Sequence, residues 1–425
     1  MAPDITSMIV ARALQGAFGG VLIPLSFQII ASELPPSKHA LGMALFAVAN
    51  NVAQAAGPSL GGWLTEAHSW RWIFYLQAPP GMLLLAAIGW ATPRGPAHFD
   101  RLRGGDWGGI ATMALGLAAL QITLEEGERQ DWFASPFIVG AATLAALGLA
   151  AFVAIELRRA APLINLRLLA RRNFGLASLM QFSFGAAVFG VVFLAPNYFA
   201  EVQGYNAEQI GLTMIPYGLV QFVMSFATPR LMTAIGVRAT IVLGFAVMAA
   251  GCLMSIHLNN DAAANVIVPS LVVRGIGQSF IVVALGVMAV AGLEKVELGS
   301  ASGLFSTVRN VGGAIGIAMA SQFVVEREKL HASRIGEAID PFSAAFQERM
   351  AEWVRWLGGQ QIGRHAALHG AAAAPLRQQA LAVLDQVVHR QALLLAYSDA
   401  FLVAGLAMLV CAAGGVWLKA GRAAP

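Results

Sequence analysis

The stretch LFAVANNVAQAAG, residues 45–57, recurs as LFSTVRNVGGAIG, residues 304–316, and this duplication decides the fold. The two copies align without gaps, and Leu, Phe, Asn, Val, Ala and Gly coincide at six positions. Upstream, RALQG beginning at Arg12 is matched by RGIGQ beginning at Arg274, at nearly the same offset. Because both matches run in the same direction, the chain contains two related halves in parallel orientation.

The composition places both copies inside a membrane. Of the 425 residues, 57% are hydrophobic and only 12% are charged, which is about half the charged share of a soluble domain. The sequence therefore predicts an all-α membrane protein, because apolar runs of this length form transmembrane helices. We expect eleven spans, at residues 5–31, 41–65, 72–92, 107–124, 136–155, 174–199, 207–231, 238–258, 264–292, 299–324 and 395–419.

Basic residues are distributed unequally between the loops. On one side of the alternating topology the short loops are rich in Lys and Arg, whereas those on the other side offer only Arg71 and Arg129. Basic short loops mark the cytoplasm, so we expect a multi-pass protein of the bacterial inner (plasma) membrane with a cytoplasmic C-terminus. Loop 325–394 is expected to be external, because loops of more than about 60 residues escape this rule.

Several motifs point to one transporter family. RALQGAFGGVLIPL, residues 12–25, resembles the R-x-x-Q-G signature of that family's fourth helix, and GPSLGG, residues 57–62, resembles the antiporter signature of its fifth helix. SWRWIFYLQAPPG, LQITLEEGERQDWF, PLINLRLLARRNF and HASRIGEAIDPFSAAF look like its fourteen-span branch. The chain therefore resembles the drug:proton antiporters of the EmrB/QacA type within the major facilitator superfamily.

The resemblance implies a domain organisation. Matched segments are displaced by eight spans, which is the six spans of one major facilitator bundle plus two extra spans. Residues 1–92 are then the remnant of an N-terminal bundle with three spans, and residues 93–173 form two linker spans with cytoplasmic loops. Residues 174–425 form a complete six-helix C-terminal bundle that includes loop 325–394. We thus expect the chain to lack the first three spans of a fourteen-span parent, including the acidic residue of the family's first helix.

Four residues are candidates for proton coupling. The resemblance assigns Arg12, Gln15 and Gly16 to the fourth-helix signature, which implies a part in proton movement. An arginine at this depth could instead snorkel to the external interface. Asp399 begins the last span, where it could be a proton site in an access channel or only a wetted helix end.

The antiporter motif consists of Gly57, Pro58, Gly61 and Gly62. Pro58 removes a helical hydrogen bond, and the glycines strip side chains from one face so that another helix can approach closely. The resemblance implies that this packing closes a leak path and acts as a pivot. A packing kink without any role in coupling is the alternative.

Polar residues deep within the spans are candidates for a central cavity. Arg309 lies about ten residues from the cytoplasmic end of its span, too deep to snorkel comfortably, whereas Arg274 could either face the cavity or snorkel. Each candidate amide could equally form an interhelical hydrogen bond. The remaining cavity candidates are Asn50, Asn51, Gln54, Asn310, Tyr217 and Gln221.

The function expected from these features is proton-coupled multidrug efflux by alternating access. The substrates would be amphipathic or lipophilic drug-like compounds, the proton gradient would drive transport without a cofactor or metal, and the lipid bilayer would be the immediate surroundings. Loop 325–394 could dock a periplasmic membrane-fusion adaptor or lie over its own bundle. The alternative is a transport-inactive truncated fragment or scaffold. Nothing in the sequence suggests an enzyme or a nucleic-acid partner, because motifs for metal-assisted, phosphate-binding or nucleophilic chemistry are missing.

Overall fold

The computed structural model of the protein describes residues 4–91, 105–159, 162, 164–256, 264–294, 296–362 and 373–418. Within these ranges the elements are thirteen α-helices and four short 3-10 turns. The prediction of an all-α protein is therefore confirmed.

The first part of the chain contains four helices. Asp4 caps the first of them, because its side chain accepts a hydrogen bond from the backbone N–H of Ser7 at 2.7 Å. The predicted span 5–31 is divided at Gly20 and Val21, where adjacent glycines weaken the helix. The helices are α1 (Ile5–Gly19), α2 (Leu22–Glu33), α3 (His39–Ala67) and α4 (Trp72–Ala91).

The predicted linker spans form a helical hairpin of α5 (Trp107–Glu126) and α6 (Pro136–Arg158). The side chain of Asp106 caps α5 by accepting from the backbone N–H of Gly109 at 2.9 Å. Gly116 and Gly148 face each other across the hairpin, and a Cβ on Gly148 would lie 2.9 Å from the Cα of Gly116. The two helices therefore pack backbone to backbone, as small residues allow in membranes.

The second part of the chain contains seven helices. A capping box fixes the start of one of them, because Asn206 and Gln209 each bind the other's backbone N–H. The helices are α7 (Arg172–Glu201), α8 (Ala207–Ile235), α9 (Val237–Leu253), α10 (Ala264–Val290), α11 (Leu298–Ala338), α12 (Ala344–Ile362) and α13 (Ala373–Gly415).

Among the described residues, helices of membrane-spanning length match nine of the eleven predicted spans. Within the described residues, nine helices are long and apolar enough to cross a membrane, the first of them combining α1 and α2. The other two predicted spans, 41–65 and 238–258, overlap two shorter apolar segments, His39–Ala49 and Val237–Leu253. Each of these segments coincides with one predicted span.

Much of the segment 325–394 is helical, as its stretches 346–357 and 376–391 predict, but the spans that were expected to end at 324 and to begin at 395 continue into it. The helices α11 and α13 have 41 and 43 residues, so each is about 60 Å long, roughly twice the bilayer core. Both therefore project beyond the membrane on the same side, with α12 between them in sequence. The predicted boundaries miss the helix ends because backbone hydrogen bonding continues across the interface where hydropathy changes. The proposed domain boundaries stay predictions.

The two parts of the chain meet along several helices. Helix α3 packs along α8 and α2 packs against α11, and Phe27 and Met43 are buried in the same hydrophobic cluster as Phe305. By contrast, the most apolar stretches of Ile5–Glu33 and Trp72–Trp90 contain no buried residue among those that the structure describes. Lipid or another helix can therefore cover the apolar faces of α1 and α4.

Candidate functional site

The fourth-helix signature joins α1 to α4. Arg12 donates a hydrogen bond to Oε1 of Gln15 at 2.8 Å, and Nε2 of Gln15 donates to Oε1 of Gln77 at 2.6 Å. The guanidinium of Arg12 also lies 5.0 Å from the ring centre of Phe74. A Cβ on Gly16 would meet no described atom within 4 Å. Arg12 is exposed, and its contacts within the described part of the structure come from α1 and α4.

Arg274, the counterpart of Arg12 in the second half, is fully buried. It donates hydrogen bonds to the hydroxyls of Ser255 and Ser270 at 2.6 and 2.7 Å, and its Nε donates to the carbonyl of Gly251 at 3.3 Å. Its guanidinium lies 4.5 Å from the ring centre of Phe401. These contacts compensate for much of the cost of removing the charge from water.

The two arginines occupy related surroundings. Phe74 lies on α4, the third span of the chain, and Phe401 lies on α13, the last span. The third and last spans are the pair that the repeat relates, since it displaces matched segments by eight spans. Each half therefore places its signature arginine over a phenylalanine of its own final helix.

The antiporter motif touches the start of α8 at one residue. A Cβ on Gly62 would lie 2.3 Å from the carbonyl oxygen of Ala207, so only glycine fits there. Three residues earlier, the hydroxyl of Ser59 donates to the carbonyl of Gly211 at 2.6 Å. This part of α3 therefore holds the two parts of the chain together, backbone against backbone.

The rest of the motif is packed more loosely. A Cβ on Gly57 would meet no described atom within 4 Å, and one on Gly61 would only touch Ile73 at 3.9 Å. In the second half, Gly316 aligns with Gly57, and a Cβ there would lie 2.0 Å from the carbonyl oxygen of Ala186. Helix α3 continues past Pro58 without interruption, and the side chain of Pro58 lies outside the described part of the structure.

Arg309 is buried between the two parts of the chain. Only 7% of the residue is exposed, and it lies eleven residues into α11, about 17 Å along the helix. Its Nε has no hydrogen-bond partner in the described part of the chain, and neither does Oε1 of Gln181, which lines the same pocket. Beside them, Phe27 contacts Phe46 and Phe305, with ring centres 6.2 and 5.8 Å apart. We call these three phenylalanines the aromatic cluster.

Of the four amides predicted to lie near Arg309, only Asn310 has a described side chain. Asn310 is exposed, although its neighbour Arg309 is buried. Asn50, Asn51 and Gln54 lie on helix α3, but their side chains fall outside the described part of the structure. That these four amides line one cleft with Arg309 therefore stays a prediction.

Tyr217 and Gln221 lie in the contact between α8 and α10. The hydroxyl of Tyr217 donates to Oε1 of Gln278, and the hydroxyl of Ser279 donates to the backbone carbonyl of Gln221 at 3.2 Å. Gln221 is fully buried. Both cavity candidates therefore contribute to helix packing and do not line the Arg309 pocket.

Asp399 belongs to a charged cluster that the sequence did not reveal. It accepts hydrogen bonds from Nε of Arg327 at 2.7 Å and from Nε2 of His331 at 2.9 Å. Both partners lie on the part of α11 that was expected to be a loop. Their spacing of four residues, which places two side chains on one helical face, was the available signal, but the helix had to be recognised first.

An apolar cavity of 420 Å³ lies between α7, α11 and α13, lined by residues that include Phe182, Leu194, Phe323, Val403 and Cys411. Gly185, Gly312 and Gly316 let α7 and α11 approach closely beside it, as shown by Cβ positions that would lie 2.0 to 2.2 Å from backbone oxygens. Its hydrophobic lining is suited to a lipid chain or a lipophilic compound.

Several known proteins are similar to this chain over most of its length. The chain is 26% identical over 419 residues to a colistin resistance protein EmrB of Acinetobacter baumannii, covering 99% of this chain and 80% of the relative. It is 29% identical over 432 residues to the fatty acid resistance protein FarB of Neisseria gonorrhoeae, covering 98% and 79%. It is 28% identical over 344 residues to the multidrug export protein EmrB of Escherichia coli K12, covering 80% and 66%.

The family assignment follows from a match to a family model. A family model described as Major Facilitator Superfamily matches residues 1–317 of the 425. Together with the relatives, this match confirms the resemblance to EmrB-type transporters and the expectation of a membrane transporter rather than an enzyme. With most of its length matched and its two halves built alike around Arg12 and Arg274, the chain belongs to the Major Facilitator Superfamily.

Proposed function

We propose that this transporter exports amphipathic or lipophilic drug-like compounds across the bacterial inner membrane by alternating access, driven by the proton gradient. The observation that carries the proposal is the repeated arrangement of Arg12 over Phe74 and Arg274 over Phe401. Alternating access works by rocking one repeat against the other around a shared site. The names of the relatives, which include multidrug export, support a drug-like substrate.

The contacts between the two parts of the chain suit such a movement. Gly62 meets Ala207 near the end of α3, and Phe27 meets Phe305 near the opposite end of the bundle. Arg309 lies one helical turn beyond Phe305 and therefore deeper in the membrane. Opening the two contacts alternately would expose Arg309 first to one side and then to the other, without unfolding any helix.

The proton-coupling step is assigned to Asp399 and its partners. A carboxylate held by Arg327 and His331 can exchange a proton with water, because about a quarter of its side chain is exposed. Protonation would remove its charge and weaken both ion pairs, which connect α11 to α13. Arg12, with Gln15 and Gly16, is the second candidate group for proton movement.

The proposal includes an orientation and a partner. Basic short loops favour a cytoplasmic C-terminus, which puts the extensions of α11 and α13 on the periplasmic side. There, α12 presents Trp356, which is 57% exposed, and Phe342 just before the helix is 91% exposed. These exposed aromatic side chains support docking of a periplasmic membrane-fusion adaptor.

The test is efflux from intact cells. The full chain is expressed in a strain that lacks its main drug pumps, and accumulation of a fluorescent lipophilic dye is followed with and without a protonophore. We expect lower accumulation than in the empty-vector strain, reversal by the protonophore and loss of the effect in Arg12→Ala. Accumulation equal to the empty-vector strain, with the protein present in the membrane, would refute the proposal.

A further inference from the structure

A long groove follows helix α7 on the outside of the second half. Beside the start of α7 it has a volume of 720 Å³, and it is lined there by α7, by Val308 of α11 and by Trp417 just after α13. The apolar cavity of 420 Å³ between α7, α11 and α13 lies further along the same helix. Phe182 lines both spaces, so they adjoin at this residue. We call the two spaces together the α7 groove.

The length of the α7 groove matches the bilayer. The α7 residues that line it recur every three to four positions from Arg172 to Leu194, which is the spacing of one helical face. This face is about 33 Å long, and Phe182 lies about 15 Å from Arg172 along the helix. Since the hydrocarbon core is about 30 Å thick, the part of the groove from Arg172 to Phe182 spans one leaflet.

The α7 groove is open towards the lipid and apolar along its length. Leu179 and Val410 lie on its edges, and 61% and 72% of these two residues is exposed. Its end is closed by the 3-10 turn Leu166–Ala170, because a Cβ on Gly175 would lie 2.2 Å from the carbonyl oxygen of Leu169. A concave apolar surface of this kind is suited to a hydrocarbon chain that enters from the side.

A positive charge lies at the same end of the α7 groove. Arg172 lines it and is exposed, and its Nη2 donates a hydrogen bond to the carbonyl oxygen of Trp417 at 3.3 Å. This carbonyl is uncharged, whereas the neighbouring Arg171 is paired with the carboxylate of Glu297 at 2.6 Å. Trp417 is 69% exposed, and tryptophan is enriched where the bilayer meets water. The guanidinium of Arg172 therefore lies at the depth of the lipid head groups.

We propose that the α7 groove binds one anionic phospholipid of the surrounding membrane. Its head group contacts Arg172, and an acyl chain packs along α7 past Phe182 into the 420 Å³ cavity. A basic side chain at the membrane surface favours an anionic head group by about fivefold in affinity. A small anion would use Arg172 alone and a neutral lipophilic compound would use the cavity alone, whereas an anionic phospholipid uses both. The lipid is held as a bound component of the protein and not as its cargo.

Photocrosslinking of the full chain in nanodiscs of phosphatidylcholine tests the proposal. The probe is phosphatidylglycerol with a diazirine at the end of one acyl chain, and the comparison is phosphatidylcholine with the same photoreactive chain. After illumination and proteolysis, mass spectrometry locates the adducts. We expect phosphatidylglycerol adducts to concentrate on residues 182–194 and 400–411, which line the cavity, and to exceed the phosphatidylcholine adducts there about fivefold.

The exposed surface of α4 gives the background of random lipid contact. Leu83 and Leu85 of this helix are both 72% exposed. We expect few adducts there and no difference between the two photoreactive lipids.

One pair of variants tests the contact with the head group. Arg172→Met keeps an apolar stem and removes the charge, and it should lower the phosphatidylglycerol adducts in the groove about fivefold, to the level of phosphatidylcholine. Arg158→Met is the matched control, because Arg158 is an exposed arginine in the last turn of α6. Helix α6 ends on the side of the membrane where α7 begins, so this charge lies at the same interface. Labelling of the groove in Arg158→Met should equal that of the unaltered chain.

A second pair of variants tests the position of the acyl chain. Ala404 lines the cavity, so Ala404→Phe should fill it and remove the adducts of both lipids from residues 182–194. Ala413 is an exposed alanine of the same helix, and Ala413→Phe should leave these adducts unchanged.

Three outcomes overturn the proposal. Equal labelling of the groove by the two photoreactive lipids in the unaltered chain rules out a charged head-group contact and requires no variant. Adducts as frequent on α4 as in the groove rule out a specific site. Undiminished phosphatidylglycerol labelling in a folded Arg172→Met rules out the assigned residue. Dye efflux is not part of this readout, so failure of the export function would leave the lipid site standing.

Discussion

The guanidinium of Arg274 lies 4.5 Å from the ring centre of Phe401 and is enclosed on all sides. The equivalent pair of Arg12 and Phe74 has a separation of 5.0 Å, but its arginine is exposed. The contact between arginine and phenylalanine is thus part of the packed interior at Arg274, whereas at Arg12 it leaves the arginine accessible. This asymmetry leads to opposite expectations for the two residues.

Replacing each arginine by methionine separates stability from transport. Arg274→Met leaves the Ser255 and Ser270 hydroxyls without their charged donor, and hydrogen bonds to charged groups contribute about 1.5–3 kcal/mol. We expect a clearly lower melting temperature, measured by fluorescence-detected size-exclusion chromatography after heating. Arg12→Met should melt almost like the unaltered chain while dye efflux is lost. Equal melting temperatures for the two variants would contradict this difference.

The close contact between α3 and α8 predicts a position-specific effect within the antiporter motif. In Gly62→Val the added Cβ would lie 2.3 Å from the carbonyl oxygen of Ala207, so the two helices must separate, at a cost of about 1–3 kcal/mol. We expect a lower melting temperature and reduced dye efflux. Gly57→Val is the control, because its Cβ meets no described atom within 4 Å. If both variants melt alike, the contact at Gly62 does not hold the helices together.

The ion pairs of Asp399 with Arg327 and His331 predict a change in coupling. Asp399→Asn removes the charge and retains the shape, so a proton can no longer be bound and released there. In everted vesicles, where export appears as uptake, we expect this variant to lose substrate transport driven by a pH gradient. It should retain the energy-independent exchange of labelled for unlabelled substrate. Asp385→Asn, at an exposed carboxylate of the same helix, should keep both activities. Gradient-driven efflux by Asp399→Asn would exclude Asp399 as the coupling group.

A pH effect is expected where the extensions of α11 and α13 meet. The hydrogen bond with Glu328 raises the pKa of His389 above its ordinary value of 6.5, with a further contribution from the charge of Asp385. A raised folded-state pKa means that the stabilisation is complete below about pH 6.5 and is lost as the pH rises through the folded-state value. The effect is small, because half of the His389 side chain is exposed.

Hydrogen exchange of the α13 extension measures this effect. We expect faster exchange at alkaline than at acidic pH, after correction for the intrinsic rate, and a weaker pH dependence in both His389→Gln and Glu328→Gln. Persistence of the full pH dependence in both variants would assign it to another group.

Some features of the site could be read from the sequence and others could not. The duplication around Asn51 and Asn310 predicted two related halves, and the signature arginines were found in related surroundings. The cluster around Asp399 was missed because Arg327 and His331 were assigned to a loop. Arg309 was singled out for its depth in the span, but Gln181, its neighbour in the pocket, carried no signal because one buried glutamine resembles any other in a string of apolar residues.

The sequence by itself determined the membrane setting, the all-α fold and the relation between the halves, because hydropathy and repetition are properties of consecutive residues. Only the tertiary structure decided which groups bind the buried Arg274, which motif glycine is essential for close packing and which cations surround Asp399. Each of these depends on contacts between helices far apart in the chain, such as Gly62 with Ala207 and Arg274 with Ser255. Helix packing selects those partners through the shape of whole surfaces, which no local pattern encodes.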